Sequence, residues 1–356
     1  MNALKKHLAK RRLRPMPLLV TMLMANLICT DHVVAGGQER TGTAAAPELL
    51  IPVGARDMAM GGAAIASSSG IGALHWNPAG LARGPSEAQL LFSTMSYLAG
   101  IRVNYVAVSS HCGRLGSLAL SLKALDFGDI PITTASQPDG TGATYSPTFL
   151  TTGLTWARPL SDRIGLGATL HYVSNRIERV SAAVVSFNAG LQYADLGDIG
   201  GLDLGVAIKH IGSRLRYDGS ALLRPGSLEG LRRPSSVYGI ETSSADLPST
   251  FEIGLGYAHS PTDLGKARYF ALFQHHNFAH DQWKFGSEYV YRNFFAARGG
   301  IDYADDGAAN AHIFGSSFGF GLTLDLGGLE DVQLDYAYTT VDFFDPLSTF
   351  TFRVGF

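Results

Sequence analysis

The sequence predicts an all-β chain: one transmembrane antiparallel β-barrel of about 14 strands over residues 87–356, with an N-terminal plug over 36–86. Three observations predict it. From Ala88 onward the chain reads as strands of about 9–14 residues with period-two alternation and no convincing helical period. No segment beyond the leader has the roughly 20 consecutive apolar residues that a membrane helix needs, yet 46% of the residues are hydrophobic and only 16% charged. Finally, Phe350, Phe352, Val354 and Phe356 alternate up to the last residue.

Residues 1–35 read as an export signal peptide. Lys5, Lys6, Lys10, Arg11, Arg12 and Arg14 form a cationic start, an apolar segment runs over 16–30, and Val33-Val34-Ala35 offers small residues for cleavage. Cleavage after Ala35 removes those six cations and one acid, Asp31, taking the net charge from −2 to −7. So acidic a chain does not suit nucleic-acid binding, which draws on cationic contacts to phosphate. Loss of Cys29 leaves Cys112 alone, so no internal disulfide forms.

The stretch 49–82, LLIPVGARDMAMGGAAIASSSGIGALHWNPAGLA, is too rich in Ala, Gly and Ser for an ordinary amphipathic helix and lacks strand alternation. Gly54, Ala55, Arg56, Met60, Gly61 and Gly62 open it, and the glycines permit close backbone packing. Trp76, Asn77, Pro78, Ala79 and Gly80 then make a turn: Pro78 biases Asn77 to an extended conformation, and Gly80 is free to take a positive φ. The segment reads as a plug inside a barrel or, alternatively, as a linker behind the signal.

Fourteen strands follow, near 88–97, 101–110, 115–125, 147–158, 162–175, 181–194, 201–212, 249–259, 267–277, 281–291, 294–304, 314–325, 331–340 and 348–356. Ile164, Leu166, Ala168, Leu170 and Tyr172 oppose Gly165, Gly167, Thr169 and His171. Leu202, Leu204, Val206 and Ile208 oppose Asp203, Gly205, Ala207 and Lys209, and the segments from Phe318 and Val332 repeat the pattern. One face is greasy and the other small or polar. The two long connections, about 126–146 and 213–248, follow odd-numbered strands, the parity of an outer-membrane barrel with short turns at one end and long loops at the other. Tyr97, Trp156, Tyr172, Trp283, Tyr289, Tyr291, Phe294 and Tyr338 fall near strand ends, where interfacial girdles form. The closing Phe350, Phe352, Val354 and Phe356 resemble the signal read by the outer-membrane barrel assembly machinery.

Catalytic patterns are thin. Gly315-Ser316-Ser317-Phe318-Gly319 matches G-x-S-x-G but opens a strand, and no histidine follows His312. Neighbouring His275 and His276 point to opposite faces of a strand and do not share one ion. Asp302, Asp305 and Asp306 match no EF-hand spacing. No enzyme activity, metal or cofactor is expected. Two loops are candidates for partner contact: one with Asp129 and the Pro138-Asp139-Gly140-Thr141-Gly142 turn, the other with Arg224, Arg232 and Arg233.

PVGARDMAMGGA followed by ALHWNPAGLA resembles the N-terminal signature of the PorV/PorQ family of outer-membrane proteins, relatives of the FadL-type transporters. The resemblance recurs at 125–142, at 288–300 and from Gly319 onward. It implies a FadL-like barrel in the outer membrane of a Gram-negative-type bacterium, surrounded by lipid. It also implies a part in type IX protein secretion and surface attachment, by binding secretion components or exported cargo. The alternative is FadL-like passage of hydrophobic solutes, with the plug shifting to open a route. A soluble β-propeller would need a repeated blade pattern, and none is present.

Overall fold

The alternation after Ala88 closes on itself. The computed structural model describes residues 42–226, 236–262, 264–304, 312–326 and 329–356. The leader at 1–35, Arg232, Arg233, Asp305 and Asp306 lie outside these residues. Among the described residues the wall strands are β1 (Ala88–Ser96), β2 (Arg102–His111), β3 (Ser117–Asp126), β4 (Thr148–Pro159), β5 (Ile164–Ile177), β6 (Val180–Tyr193) and β7 (Leu202–Gly212). They continue as β8 (Thr250–Thr262), β9 (Gly265–His276), β10 (Gln282–Tyr291), β11 (Phe295–Ala304), β12 (Phe314–Leu326), β13 (Leu329–Val341) and β14 (Leu347–Gly355). Each pairs antiparallel with its neighbours, and β1 pairs with β14 from Gln89↔Gly355 to Ser96↔Ser348. Ala88 and Phe356 exchange a last pair of backbone hydrogen bonds, 3.2 and 2.9 Å, so the final residue completes the seam.

Closure is what the surroundings demand. In hydrocarbon each unpaired backbone group costs several kcal/mol, so a spanning sheet must have no edge. The side chains sort accordingly: Leu120 is 54% exposed on the outside, whereas Ser121 beside it is 8% exposed and faces the lumen. Phe92, Leu154, Leu170, Phe187 and Phe318 share the outer face; Ser93, Thr155, Thr169, Asn188 and Ser317 share the inner one. The fold is therefore a closed 14-stranded transmembrane barrel.

Of the aromatics read as a girdle, Trp156, Tyr172, Trp283, Tyr289, Tyr291, Phe294 and Tyr338 are exposed, and Trp156 donates its indole N–H to the Leu115 carbonyl at 2.8 Å. Tyr97 differs: the turn after β1 folds it back onto the internal apolar cluster.

The ladder runs without a register shift from β14 through β1 to β6. Between β6 and β7 it breaks: Phe187 pairs with Ile211 and Ala189 with Ile208, so Asn188 faces both Lys209 and His210. His210 takes φ 62°, a left-handed conformation that lets the bulge form.

Substituting Leu120→Arg is expected to cost about 2–4 kcal/mol in denaturant unfolding from lipid vesicles, the penalty of a cation near the bilayer midplane. A neutral substitution there would show that this face is not in hydrocarbon.

Candidate functional site

The chain ahead of β1 lies inside the wall. It enters through a 3-10 turn, Pro47–Leu49, near the long-loop end, where Leu49 packs with Val173, Val184, Leu215 and Leu247. Gly54, at φ 90°, turns it into the four-residue helix α1 (Ala55–Met58), whose first N–H donates to Thr351 Oγ1 at 2.8 Å. Two further 3-10 turns, Gly70–Ala73 and Pro78–Arg83, carry it to the short-turn end, where Arg83 donates to the Arg163 carbonyl at 2.7 Å.

Small residues on both sides let backbone meet backbone. A Cβ on Gly286 would sit 2.6 Å from the Met60 carbonyl oxygen, one on Gly205 2.7 Å from Ala66 Cα, and one on Gly254 2.8 Å from Ile65 Cγ1. Gly167, Gly190, Gly300 and Gly319 stand in the same relation to Pro78, Asn77, Met60 and Ala59. Several are cross-strand partners: Gly167↔Gly190, Gly205↔Gly254 and Gly286↔Gly300. The strand glycines therefore form an internal belt against which residues 59–79 are pressed.

Asn77 is extended (φ −149°), as the following Pro78 requires, and is fully buried. Its Nδ2 donates to the carbonyls of Ile65 and Leu191 at 3.2 and 3.1 Å, while its Oδ1 accepts from the Ala79 N–H at 3.1 Å. Trp76 donates to the Val53 carbonyl at 3.0 Å, tying the two halves of the plug together. Gly80 does not use the freedom to take a positive φ; it is glycine because a Cβ would meet Ala73 Cβ at 2.6 Å and overlap the Ser68 carbonyl.

Arg56 anchors the plug to the wall electrically. It pairs with Asp57 and Glu288, both at 3.2 Å. Glu288 also receives Arg268 at 2.8 Å and Arg298 at 2.9 Å, and Arg298 reaches Asp335 at 2.6 Å. That last bond passes over β12 where Gly321 leaves room: a Cβ there would lie 2.7 Å from Arg298 Nη1. Three guanidiniums thus face three carboxylates, so the cluster carries no formal excess charge. Burial pushes the Asp57 carboxyl above its ordinary value in spite of Arg56 beside it. A second pair, Lys209 and Glu252 at 2.7 Å, lies elsewhere on the inner wall. Near the entry of the plug, Lys123 donates to the carbonyls of Glu48 (2.7 Å) and Ile51 (3.0 Å). Asn175 holds the Glu48 carboxyl at 2.7 Å, and burial raises that carboxyl too.

Polarity changes along the lumen. Toward the long-loop end the inner wall carries Met95, Val103, Leu125 and Leu347, flanked by Phe127, Phe149, Phe314 and Val341, and these pack in one cluster with Ile51, Val53 and Met58 of the plug. Also inside, between plug and wall, lies a cavity lined by Leu49, Val53, Leu74, His75, Tyr105, Ser121, Lys123, Thr151, His171 and His210.

The candidate loops fold on themselves. Asp129 accepts from Ser146 Oγ at 2.7 Å, Gly140 N–H donates to Gln137 at 3.2 Å, and Thr141 N–H to Ile132 at 2.8 Å, so Pro138–Gly142 lies on the returning arm of a small hairpin whose tip is Thr134–Gln137. Gly142 sits at φ 82°. Arg224 lies on a separate ribbon, Leu223–Gly226 paired with Ser236–Gly239, and donates to the Ala221 carbonyl at 3.0 Å. Neither set is near the plug cluster in the contacts described. Phe350 and Phe352 face outward, while Val354 is buried in the seam opposite Leu90. Ser317 of the G-x-S-x-G stretch lies mid-strand and shares a hydrogen bond with Thr339 Oγ1 at 2.9 Å. His275 faces out toward Asp281, 2.7 Å away, and His276 is buried.

Glu288, Arg298, Asp335 and Lys123 were not singled out by sequence reasoning. Their signal was present in outline, as charges on the polar face of alternating strands, but their pairing needs the register.

No family model matches the sequence, and no curated protein matches it. Among solved structures the chain is similar to the CymD monoaromatic hydrocarbon channel: 13% identity, 86% of this chain and 97% of that chain covered, TM-score 0.49. It is similar to a Pseudomonas aeruginosa FadL homologue (13%, 85% and 98%, TM-score 0.47). It is also similar to the Pseudomonas putida toluene transporter TodX (13%, 83% and 96%, TM-score 0.46).

Removing Glu288 leaves three guanidiniums without their common acceptor. Glu288→Ala is expected to lose about 3–5 kcal/mol in denaturant unfolding. Gly286→Val places a branched side chain where Met60 lies; the barrel should keep its heat-modifiable gel migration while residues 47–83 become cleavable by added protease. A protease-resistant plug in G286V would contradict the belt.

Proposed function

We propose that the chain is a plugged outer-membrane channel for small hydrophobic solutes, the FadL-like reading. The observation that supports it most is the change of lining inside the barrel. The apolar lining of Met95, Val103, Leu125 and Leu347 is packed against the apolar residues of the plug and becomes a mouth when the arm of the plug yields, and polar, charge-paired wall adjoins it. Such a mouth is a place where a hydrophobic solute leaves water; a side chain of leucine size gains about 1.5–3 kcal/mol on full burial. The solute class is taken from this lining.

In this reading residues 59–79 stay against the glycine belt and the preceding arm, 45–53, is the part that yields. The arm is held by bonds from Lys123, Asn175 and Trp76 and by the Ala45 N–H to the Asp246 carbonyl, and these must break for it to yield. The work is transport, not catalysis. Lipid surrounds the outer face, and the assembly machinery reads the closing strand with Phe350, Phe352, Val354 and Phe356. The secretion reading, with cargo or secretion components bound at the loops of Asp129 and Arg224, has the PorV/PorQ resemblance behind it; the comparisons lend it no support.

Cells expressing the chain should take up a radiolabelled monoaromatic or acyl solute faster than vector controls. Leu125→Asp in the mouth should cut that rate by about tenfold, equivalent to ~1.4 kcal/mol, without altering heat-modifiable migration. Uptake equal to the control, together with recovery of secretion components on the purified barrel, would favour the secretion reading instead.

A further inference from the structure

Several hydrogen-bond donors around the lumenal cavity have nothing to donate to, and one of them can be assigned by following its bonds backward. The His210 backbone N–H donates to Asn188 Oδ1 at 2.7 Å, which fixes the orientation of that amide. The other side of the amide, Nδ2, then faces His171 Nε2 at 3.2 Å. An amide nitrogen only donates, so Nε2 is the acceptor and the proton of the neutral ring sits on Nδ1. His171 Nδ1 is buried and has no partner.

Thr151 Oγ1 is likewise buried and unpartnered, on a residue only 4% exposed. Lys123, 5% exposed, gives two of its N–H bonds to the Glu48 and Ile51 carbonyls, which are neutral, while the Glu48 carboxyl is turned to Asn175. All three groups line the same cavity. The remaining Lys123 N–H, the His171 imidazole N–H and the Thr151 hydroxyl form a donor set with unmet demand, and buried polar groups are as a rule satisfied. Hydrogen bonds from such donors to an anion are about twice as strong as neutral ones.

We propose that this cavity is a binding site for one anionic group of halide or carboxylate size, held by Lys123 Nζ, His171 Nδ1 and Thr151 Oγ1. The space is small, little more than a water molecule needs, which excludes sulfate-sized or larger groups. The group is a free ion. The site does not rest on the transport reading, because its signature is binding.

The test uses the full-length barrel, purified after export and held in detergent. Thermal unfolding in sodium chloride or bromide is compared with sodium gluconate at equal ionic strength. Saturable stabilisation by the halides is expected. Thr151→Val, which keeps the shape and removes the hydroxyl, should weaken the apparent affinity by about tenfold, and Thr151→Ser should restore it. Crystals soaked in bromide should show anomalous density within hydrogen-bond reach of Lys123 and His171. Formate should stabilise as the halides do, and octanoate, too long for the space, should not. No halide or carboxylate effect beyond gluconate, or an effect unchanged in T151V, overturns the site.

Discussion

Everything in this molecule follows from the closure of one backbone ladder between its first and last strands. A sheet in hydrocarbon cannot leave a row of N–H and C=O groups unpaired. Once β14 is paired to β1, each wall residue has only two possible environments, lipid or lumen, and the period of two assigns them. The outer face can then be as greasy as Leu120 and Phe318 make it, and every polar side chain of the spanning strands needs a partner within the lumen.

The plug supplies many of those partners. Arg56 completes a cluster whose other cations, Arg268 and Arg298, share Glu288. The carbonyls of Glu48 and Ile51 receive Lys123, and Asn77 satisfies backbone groups of both plug and wall. Polar contacts set the position of the plug, and the glycine belt sets its distance. A neutral cluster of six charged groups also gives this contact no net attraction for ions from either side of the membrane.

Much of the architecture was legible in the sequence. The alternation of Ile164–Tyr172 and Leu202–Lys209 located strands, and loop parity gave them direction, because both depend only on local pattern. Strand glycines such as Gly205 were legible as part of the small or polar face but not as a belt: Gly205 and Gly254 are far apart in sequence and become partners only in register. The same limit hid the Arg298–Asp335 pair, which spans a third strand across Gly321. Gly80 was legible as part of a turn, but the contact that requires it to lack a side chain was not, because Ser68 and Ala73 meet it only in the folded plug. Tyr97 looked interfacial because aromatics at strand ends usually are; the turn after β1 folds it inward instead.

The belt has a consequence for how the molecule is made. Wall and plug backbones touch where neither has a side chain to retract, so a finished cylinder offers no clearance through which residues 59–79 could later be threaded. The strands must curl around a segment already in place, as a casing is wound on its mandrel. The leading stretch thus sets the bore of the cylinder during biogenesis, before it blocks anything.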